Sequence, residues 1–280
     1  MNRTEDHRVV SDMQGDLIET IVSATKRSVE IRTKQRSRAE IERFAELMVP
    51  RGEEFRSAVS NASKLNVIAE CKRRSPSKGV LCLEYDPVRL ATDYEGAGAS
   101  AISVLTERAF FDGSLDHLRT VRSTVELPLL CKDFIVCEYQ LLEARASGAD
   151  AVLLIVSALD QEMLKRLVST AAEFDLSSLV EVHDEIEQAR ALDAGATIIG
   201  VNNRNLRTLE VDLDVAHSLI SNIPHGVISV AESGLRSAED LTRLRKIGYD
   251  AFLIGEFLMT SGNPGQTLRA LLSQGSTVVG

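Results

Sequence analysis

The sequence feature that most constrains the fold is a repeated unit in which a glycine is followed at once by a short apolar run. Glycine tolerates the left-handed conformation that closes a helix, and such a β-rich run is typical of a strand buried on both faces. These glycines recur about every 50 residues, roughly twice the length of one strand–helix unit. The four units begin at Gly98, Gly148, Gly195 and Gly248.

A second set of apolar runs lies between these units, so that eight predicted strands alternate with eight predicted helices from residue 66 to about residue 275. Asp86 before Pro87 predicts one helix start, and Ser237 followed by Ala-Glu-Asp resembles a capping box. The additional strands are predicted at 66–72, 127–134, 178–183 and 226–234.

This alternation favours a closed (β/α)8 barrel of the α/β class over an open doubly wound sheet. The GxGxxG and GxxxxGK[ST] patterns of nucleotide-binding open sheets are absent. Residues 14–49 are predicted to be helical, because apolar residues recur there at helical spacing. We therefore predict one domain overall, with a helical extension at 1–65 packed on a barrel at 66–280, and a role of the extension as a lid stays open. The recurring residues are Ile41, Phe44, Ala45 and Met48.

The charge and the cysteines exclude several classes of protein. A formal net charge of −9 argues against general affinity for nucleic acid, which needs a cationic surface. No run approaches the ~18 apolar residues of a membrane helix, and the charged first residues lack the apolar core of a secretory signal. The four cysteines form no CxxC pair and the histidines no HExxH motif. We expect a soluble cytoplasmic protein with reduced thiols and no metal site.

Charged residues stand near the ends of several predicted strands. Alternate side chains of a barrel strand point inward, and function collects at the C-terminal strand ends. Buried ionisable groups are costly unless they pair or face a wet cavity, so they form either a structural ion-pair network or an acid–base site. Their position favours the acid–base site, whereas Cys71 is predicted to face outward. The inward residues are Glu70, Lys72, Lys132, Glu181 and Asn202.

A phosphate site is predicted after the seventh and eighth strands, at Glu232-Ser233-Gly234 and Gly255-Glu256. Exposed backbone N–H groups and a helix N-terminus favour an anion there. The basic run at 72–79 could indicate a nucleic-acid patch, but it directly follows a barrel strand. A loop that brings positive charge to an acidic substrate explains it better.

These residues, taken in order, resemble the indole-3-glycerol phosphate synthase family. The resemblance spans nearly the whole chain, and it implies a TIM barrel carboxy-lyase of tryptophan biosynthesis that works without a cofactor. It implies conversion of 1-(2-carboxyphenylamino)-1-deoxyribulose 5-phosphate to indole-3-glycerol phosphate, carbon dioxide and water. The matching segments are IAECKRRSPSKG (68–79), SVLTERAFFDGS (103–114), PLLCKDFIVCEYQ (128–140), GADAVLLI (148–155), LVEVH (179–183), IIGVNNRNL (198–206), AESGLRS (231–237) and LIGEFLM (253–259).

The resemblance also implies a role for each matching catalytic residue. Lys132 resembles the general acid, and Glu181 resembles the general base. Glu70 resembles the carboxylate that assists proton transfer and holds the lysines. Lys72 resembles the cation that orients the anionic groups of the substrate, and Asn202 the polar residue near the ribulose hydroxyls. Burial and Lys72 would lower the pKa of Lys132 while Glu70 would raise it, and the sequence leaves that balance open.

The binding residues follow from the same match. Arg204 resembles the partner of the anthranilate carboxylate, since a guanidinium can bond two oxygens. Asn205 departs from the aspartate that is usual in the family, and an amide could steady this loop less well. The side chain of Glu256 is expected to point away from phosphate. Residues matched to the pocket wall are Ser75, Phe111, Leu153 and Ser233, and those matched to the phosphate loops are Gly234, Gly255 and Glu256.

Two alternatives stand beside this interpretation. Another phosphosugar barrel enzyme, such as phosphoribosylanthranilate isomerase, is expected to lack the combination of ECK, KDF, VEVH and NNR. A non-catalytic or specialised-pathway paralogue would not require intact acid–base positions. The expected partner is a small phosphorylated molecule, without nucleic acid or membrane. We expect a monomer or a weak homo-oligomer, with room for association with other enzymes of the tryptophan pathway.

Overall fold

The computed structural model describes residues 17–206 and 208–279, with side chains described as far as residue 275. Eight parallel strands close into a barrel in which the first strand pairs with the last, for example Asn66 with Ala251. This confirms the predicted (β/α)8 architecture. The strands are β1 (Asn66–Cys71), β2 (Ala101–Leu105), β3 (Leu129–Lys132), β4 (Ala151–Ile155), β5 (Ser177–Val182), β6 (Ile198–Asn202), β7 (Ile228–Glu232) and β8 (Ala251–Ile254).

From residue 17 onward, three helices precede the barrel, and the others alternate with its strands. They are α1 (Leu17–Gln35), α2 (Arg38–Glu46), α3 (Gly52–Val59), α4 (Pro87–Ala97), α5 (Leu115–Arg122), α6 (Glu138–Ala146), α7 (Gln161–Glu173), α8 (Glu185–Asp193), α9 (Asp214–Leu219), α10 (Ala238–Ile247), α11 (Glu256–Met259) and α12 (Pro264–Val279). Short 3₁₀ turns follow at Val156–Ala158 and Ile220–Asn222, and the loop after β1 contains a hairpin of Arg74–Ser75 with Gly79–Val80.

The predicted helix boundaries are formed as expected. The Asp86 side chain accepts hydrogen bonds from the N–H groups of Val88 and Arg89, with Pro87 at the first helical position. Ser237 and Asp240 form the reciprocal bonds of a capping box at the start of α10. At the other end of α4, Gly98 closes the helix with φ of 96°, a conformation that costs glycine nothing.

Strand alternation separates two apolar layers. Ile68, Leu130 and Leu179 pack together inside the barrel. Cys71 and Cys131 belong instead to the layer between strands and helices, so Cys71 faces outward as predicted. The ionisable side chains on the inward face, such as Glu70, Lys132 and Glu181, stand near the C-terminal ends of their strands, beyond this apolar layer.

The helices before the barrel cover both of its ends. Phe55 and Val59 of α3 are fully buried among the interior residues, and Ser177 at the start of β5 donates to the Gly52 carbonyl (2.8 Å). Helix α3 therefore closes the N-terminal end. Helix α1 lies at the opposite end, where Leu17 and Ile21 face a cavity.

The helical structure predicted for 14–49 is formed as two helices over most of that range. The first ends at Gln35, Ser37 caps the second with a capping box, and residues 14–16 lie outside the described ranges. Ile41 and Ala45 are buried, but Phe44 is 49% exposed beneath the guanidinium of Arg36. Met48 lies beyond the end of α2, so the apolar face of that helix is narrower than the spacing predicts. Within the described ranges, no helix is long and apolar enough to cross a membrane.

Candidate active site

A cavity of about 680 Å³ lies at the C-terminal ends of the barrel strands. Every residue that the sequence assigns to a site lines it, so strand ends far apart in sequence meet at one place. Location alone does not decide what each residue does. The predicted residues in its wall are Glu70, Lys72, Ser75, Phe111, Lys132, Leu153, Glu181, Asn202, Arg204, Ser233, Gly234, Gly255 and Glu256.

Glu70 and Lys72, both from the end of β1, form the first ion pair of the site. Lys72 Nζ lies 2.7 Å from Glu70 Oε1, and Ser103 on β2 donates a hydrogen bond to Glu70 Oε2 (3.3 Å). Burial disfavours charge on Glu70, but Lys72 and Lys132 outweigh that cost and lower its pKa. A Cβ at Gly255 would come within 2.3 Å of Glu70 Oε1, so the glycine makes room for this carboxylate.

Lys132, at the end of β3, faces three carboxyl groups. Its Nζ lies 3.5 Å from Glu181 Oε2 and 3.8 Å from Glu232 Oε2. Burial favours the neutral amine, but the fields of Glu181, Glu232 and Glu70 outweigh it and raise the pKa of Lys132. The sequence left open whether the pKa of Lys132 is lowered or raised, and the carboxylates have the larger effect. Lys132 is therefore an ammonium at neutral pH.

Glu232, which the sequence placed only in the predicted phosphate cluster, is a further acid–base candidate. Burial and the adjacent Glu181 carboxylate raise the pKa of Glu232 well above its ordinary range. Burial also acts on Glu181, but Lys132 and His183 outweigh it and lower the pKa of Glu181. Two close carboxyl groups cannot both ionise at low cost, so the site favours the protonated form of Glu232 beside the charged form of Glu181. The same alternation that placed Glu181 inward, applied to β7 as Ile228, Val230 and Glu232, would have found it.

Residues outside the predicted set shape the rest of the wall. Leu17, Ile18 and Ile21 of α1 contribute apolar surface. The Glu107 carboxylate accepts hydrogen bonds from three successive N–H groups of the loop that carries Phe111, at 2.9, 2.7 and 3.1 Å. Glu107 thereby fixes the position of Phe111.

Arg204 is held in place by its neighbours on three sides. Its Nη2 lies 2.8 Å from Glu256 Oε2, its Nη1 donates to the Leu209 carbonyl (3.0 Å), and its backbone N–H donates to Asn202 Oδ1 (3.0 Å). Asn205 Oδ1 accepts a hydrogen bond from the Thr208 N–H (3.1 Å). The amide at position 205 therefore supports the loop through its side-chain oxygen.

The glycine-bearing turns after β7 and β8 expose backbone to the same cavity. Ser233 and Gly234 have φ of 66° and 79°, which turns two successive peptide units toward the site. A Cβ at Gly234 would meet Val211 Cγ1 at 2.5 Å. Gly255 immediately precedes α11, and Ser237 caps α10. Backbone N–H groups and helix starts at this end suit an anion.

The described residues offer no arrangement of three or more His, Cys, Asp or Glu side chains suited to a metal ion. All four cysteines are free thiols. The polar groups that line the cavity are carboxyl, ammonium, guanidinium, amide and hydroxyl groups.

A protein-family model described as indole-3-glycerol phosphate synthase matches residues 18–271. The chain belongs to the indole-3-glycerol phosphate synthase family. It is 48% identical over 259 residues to the indole-3-glycerol phosphate synthase of Parafrankia sp. (strain EAN1pec), covering 92% of this chain and 96% of that protein. It is 53% identical over 197 residues to that of Chlorobium limicola, covering 70% and 76%. The predicted family is confirmed.

Solved structures of lower identity share the barrel. A thiamine phosphate pyrophosphorylase from Pyrococcus furiosus aligns with a TM-score of 0.59 at 19% identity, covering 78% of this chain and 98% of that one. KGPDC from Streptococcus mutans aligns with a TM-score of 0.59 at 15% identity, covering 77% and 99%. At such low identities, this likeness supports the shared barrel fold and nothing further.

Proposed function

We propose that the chain converts 1-(2-carboxyphenylamino)-1-deoxyribulose 5-phosphate to indole-3-glycerol phosphate, carbon dioxide and water, the step of tryptophan biosynthesis for which its family is named. The observation that carries the proposal is that Lys132 Nζ lies 3.5 Å from Glu181 Oε2. Both side chains line the same cavity as the glycine-bearing turns after β7 and β8. An acid and a base of opposite charge, fixed beside an anion site, suit a reaction that moves protons on a phosphorylated substrate.

Lys132 acts first in this scheme. The ribulose carbonyl oxygen takes a proton from the Lys132 ammonium as the aromatic carbon attacks the carbonyl carbon and closes the five-membered ring. Loss of carbon dioxide then leaves its electron pair in the ring system. The carboxylates of Glu181 and Glu70, with the Glu232 carboxyl beside them, favour the protonated form of Lys132 before each turnover.

Glu181 serves the dehydration step. Its lowered pKa keeps it ionised at neutral pH, so it can accept a proton while the hydroxyl leaves as water. Loss of that hydroxyl needs a second proton. Lys72 supplies it directly, or Lys132 supplies it after taking a new proton from solvent. Glu70 holds Lys72 at 2.7 Å, and Asn202 lies beside the ribulose hydroxyls.

Binding is divided between two anionic ends of the substrate. The phosphate meets the backbone N–H groups around Gly234 and Gly255, and the carboxylate meets Arg204. Phe111, Leu153 and Ser75 line the space between, where the aromatic ring and its amine fit. Because Glu256 already pairs with Arg204, the substrate carboxylate shares or competes for that guanidinium, and Glu256 is directed to Arg204 rather than to phosphate.

A cytoplasmic location, a small phosphorylated molecule as the main partner and independence of any cofactor belong to the same proposal. The net charge of −9 supports the absence of a nucleic-acid partner. A monomer or a weak homo-oligomer is the assembly state that goes with it.

The decisive experiment supplies the purified protein with the carboxyphenylamino-deoxyribulose phosphate and follows indole absorbance and fluorescence, with and without a chelator. Product should form at the same rate in both, and a Glu181→Gln variant should form almost none. Correctly folded protein that yields no indole product would refute the proposed function.

A further inference from the structure

His183 occupies an unassigned position directly behind the proposed general base. It follows the last residue of β5, two positions after Glu181. Among the described residues that form the cavity wall, Glu181 is present and His183 is not. The imidazole therefore touches Glu181 from the side away from the substrate.

The imidazole of His183 lies between the carboxyl groups of Glu187 and Glu181. Its Nδ1 lies 2.9 Å from Glu187 Oε2, and the same oxygen accepts the His183 backbone N–H at 2.9 Å. Its Nε2 lies 3.5 Å from Glu181 Oε1, within ion-pair distance but without a hydrogen bond among the described atoms. Glu187 is itself fixed in the first turn of α8, where its N–H donates to Asp184 Oδ1 (2.8 Å).

This geometry selects the charged form of the ring. Glu187 fixes a proton on Nδ1, so a neutral ring would turn the lone pair of Nε2 toward Glu181. Only the imidazolium presents an N–H to both carboxylates. Burial opposes that charge, but Glu187 and Glu181 outweigh it and raise the pKa of His183.

We propose that His183 is a positioning residue of the synthase reaction, which, held by Glu187, keeps Glu181 ionised and turned toward Lys132. This inference rests on the proposed function. It extends the site beyond the cavity wall to a row of three side chains, Glu187, His183 and Glu181, that ends at the base.

The need for such a residue lies in the other groups around Glu181. Lys132 and Asn202 favour its negative charge, whereas the carboxyl of Glu232 competes with it for the same cation. His183 in turn faces Glu187, Glu181 and Asp184. Removal of the imidazolium takes away one of the charges that favour ionised Glu181. Part of the population would then carry the shared proton on Glu181 instead of Glu232.

The test is the pH dependence of kcat/KM in the wild type, His183→Gln, Glu187→Gln and the double variant. The acid limb reports ionisation of the base in the free enzyme, so it should move upward by about 1 pH unit in either single variant. On the acid side of the limb, kcat/KM at a given pH should fall about tenfold, whereas near pH 8 it should be almost unchanged. KM should stay within about twofold, because His183 does not line the cavity. The double variant should shift no further, since Glu187 acts through His183.

Two matched controls separate this effect from loss of charge or of an imidazole in general. Glu185→Gln changes an exposed acid in the same first turn of α8, and His225→Gln removes an exposed imidazole. Both should leave the acid limb in place. An unmoved limb in both folded His183→Gln and Glu187→Gln, or an equal shift in Glu185→Gln, would overturn the proposal.

NMR titration of the His183 ring gives a readout that needs no turnover. The ring should titrate above about 6.5 in the wild type and lower in Glu187→Gln. If the wild type makes no indole product, the proposed function fails, and this titration then decides the contact between His183 and Glu181 by itself. If His183→Gln does not fold, Glu187→Gln carries the same test.

Discussion

The two ends of the barrel bury charge in different ways. At the N-terminal end, Asp150 is 2% exposed and both of its oxygens are satisfied. Oδ1 accepts the Arg51 backbone N–H (2.9 Å), and Oδ2 accepts the Leu129 N–H (2.8 Å) and a guanidinium N–H of Arg122 (3.0 Å). At the C-terminal end, Glu181 Oε2 and Glu232 Oε1 are buried without a hydrogen-bond partner among the described atoms.

The repeated sequence unit explains why buried carboxylates at the N-terminal end of the barrel have hydrogen-bond partners. In the units that begin at Gly148 and Gly248, the third residue is an aspartate just before a strand. Asp150 accepts the N–H at the start of β3, and Asp250 accepts the Ser229 N–H at the start of β7 (2.9 Å). These carboxylates join neighbouring strands, so they act in stability.

This difference separates carboxyl groups that stabilise the fold from carboxyl groups that remain able to bind a ligand. Buried polar groups are nearly always hydrogen-bonded, and exceptions mark sites at which stability is given up for another purpose. Glu181 Oε2 and Glu232 Oε1 are two of the buried atoms without a hydrogen bond, and both belong to carboxyl groups beside Lys132 in the cavity wall. A bound substrate would offer them hydrogen-bond partners. Substitutions at the two ends should therefore change different measurements.

The largest effect is expected for Lys132→Ala, which should lower kcat by about 100-fold or more, the usual contribution of a positioned acid. Lys165→Ala, which removes a half-exposed lysine paired with Asp193, is the matched control and should leave kcat unchanged. Steady-state kinetics with the substrate decides it. Turnover within about tenfold of the wild type would show that Lys132 has a different role.

Asp150→Ala should change stability instead. It leaves Arg122 and two buried backbone N–H groups without their acceptor, which we expect to lower the free energy of unfolding by about 3 kcal/mol. Urea unfolding measures this loss, and kcat of the folded variant should equal that of the wild type. The control is Glu126→Ala, whose side chain is 96% exposed near the same Arg51. Comparable losses in the two variants would contradict the contrast between the ends.

The sequence predicts the architecture and the meeting of the site residues because both follow from periodicity. Glycine-closed helices and apolar runs define the strands, and two-residue alternation directs Glu70, Lys132 and Glu181 to one end. Glu232 was open to the same reasoning. The position of α1 was not, because which barrel end a preceding helix covers depends on long-range packing of residues such as Ile21.

Charge states were the least predictable property of the site. The raised pKa of Lys132 depends on distances to carboxyl groups from β1, β5 and β7, which no local pattern contains. The role of His183 likewise depends on the reach of Glu187 back from the first turn of α8. Phe44 shows the opposite error, since an apolar residue at helical spacing can remain exposed.

A third prediction concerns Asp133, a carboxyl of the C-terminal end that receives a hydrogen bond from Thr106 (2.7 Å). Removal from water, together with nearby Glu107, raises its pKa from 3.8 to about 6. Its neutral form is therefore favoured by folding, and this contribution is complete below about pH 4 and lost as the pH rises through about 6. Asp133→Asn should stabilise the protein by about 1–3 kcal/mol at pH 8 and not at pH 4.

Thermal unfolding measured across that pH range checks the prediction. Asp116→Asn, at a side chain that is 73% exposed, is the control and should show no such pH dependence. Equal melting-temperature changes for Asp133→Asn at pH 4 and pH 8 would show that the carboxyl charge costs nothing in the fold.

The smallest effect is expected at the ion pair of Arg204 and Glu256, whose side chains are 17% and 21% exposed. If the substrate carboxylate competes with Glu256, then Glu256→Gln should lower KM by about two- to fivefold with kcat unchanged, the scale of a partly exposed pair. Steady-state kinetics at low salt measures it, with Glu239→Gln in the exposed first turn of α10 as control. A rise in KM would mean that Glu256 orients Arg204 as a fixed ligand. The Arg204–Glu256 pair would then be a structural contact like those of Asp150. The difference between the two barrel ends would in that case rest only on the carboxyl groups around Lys132.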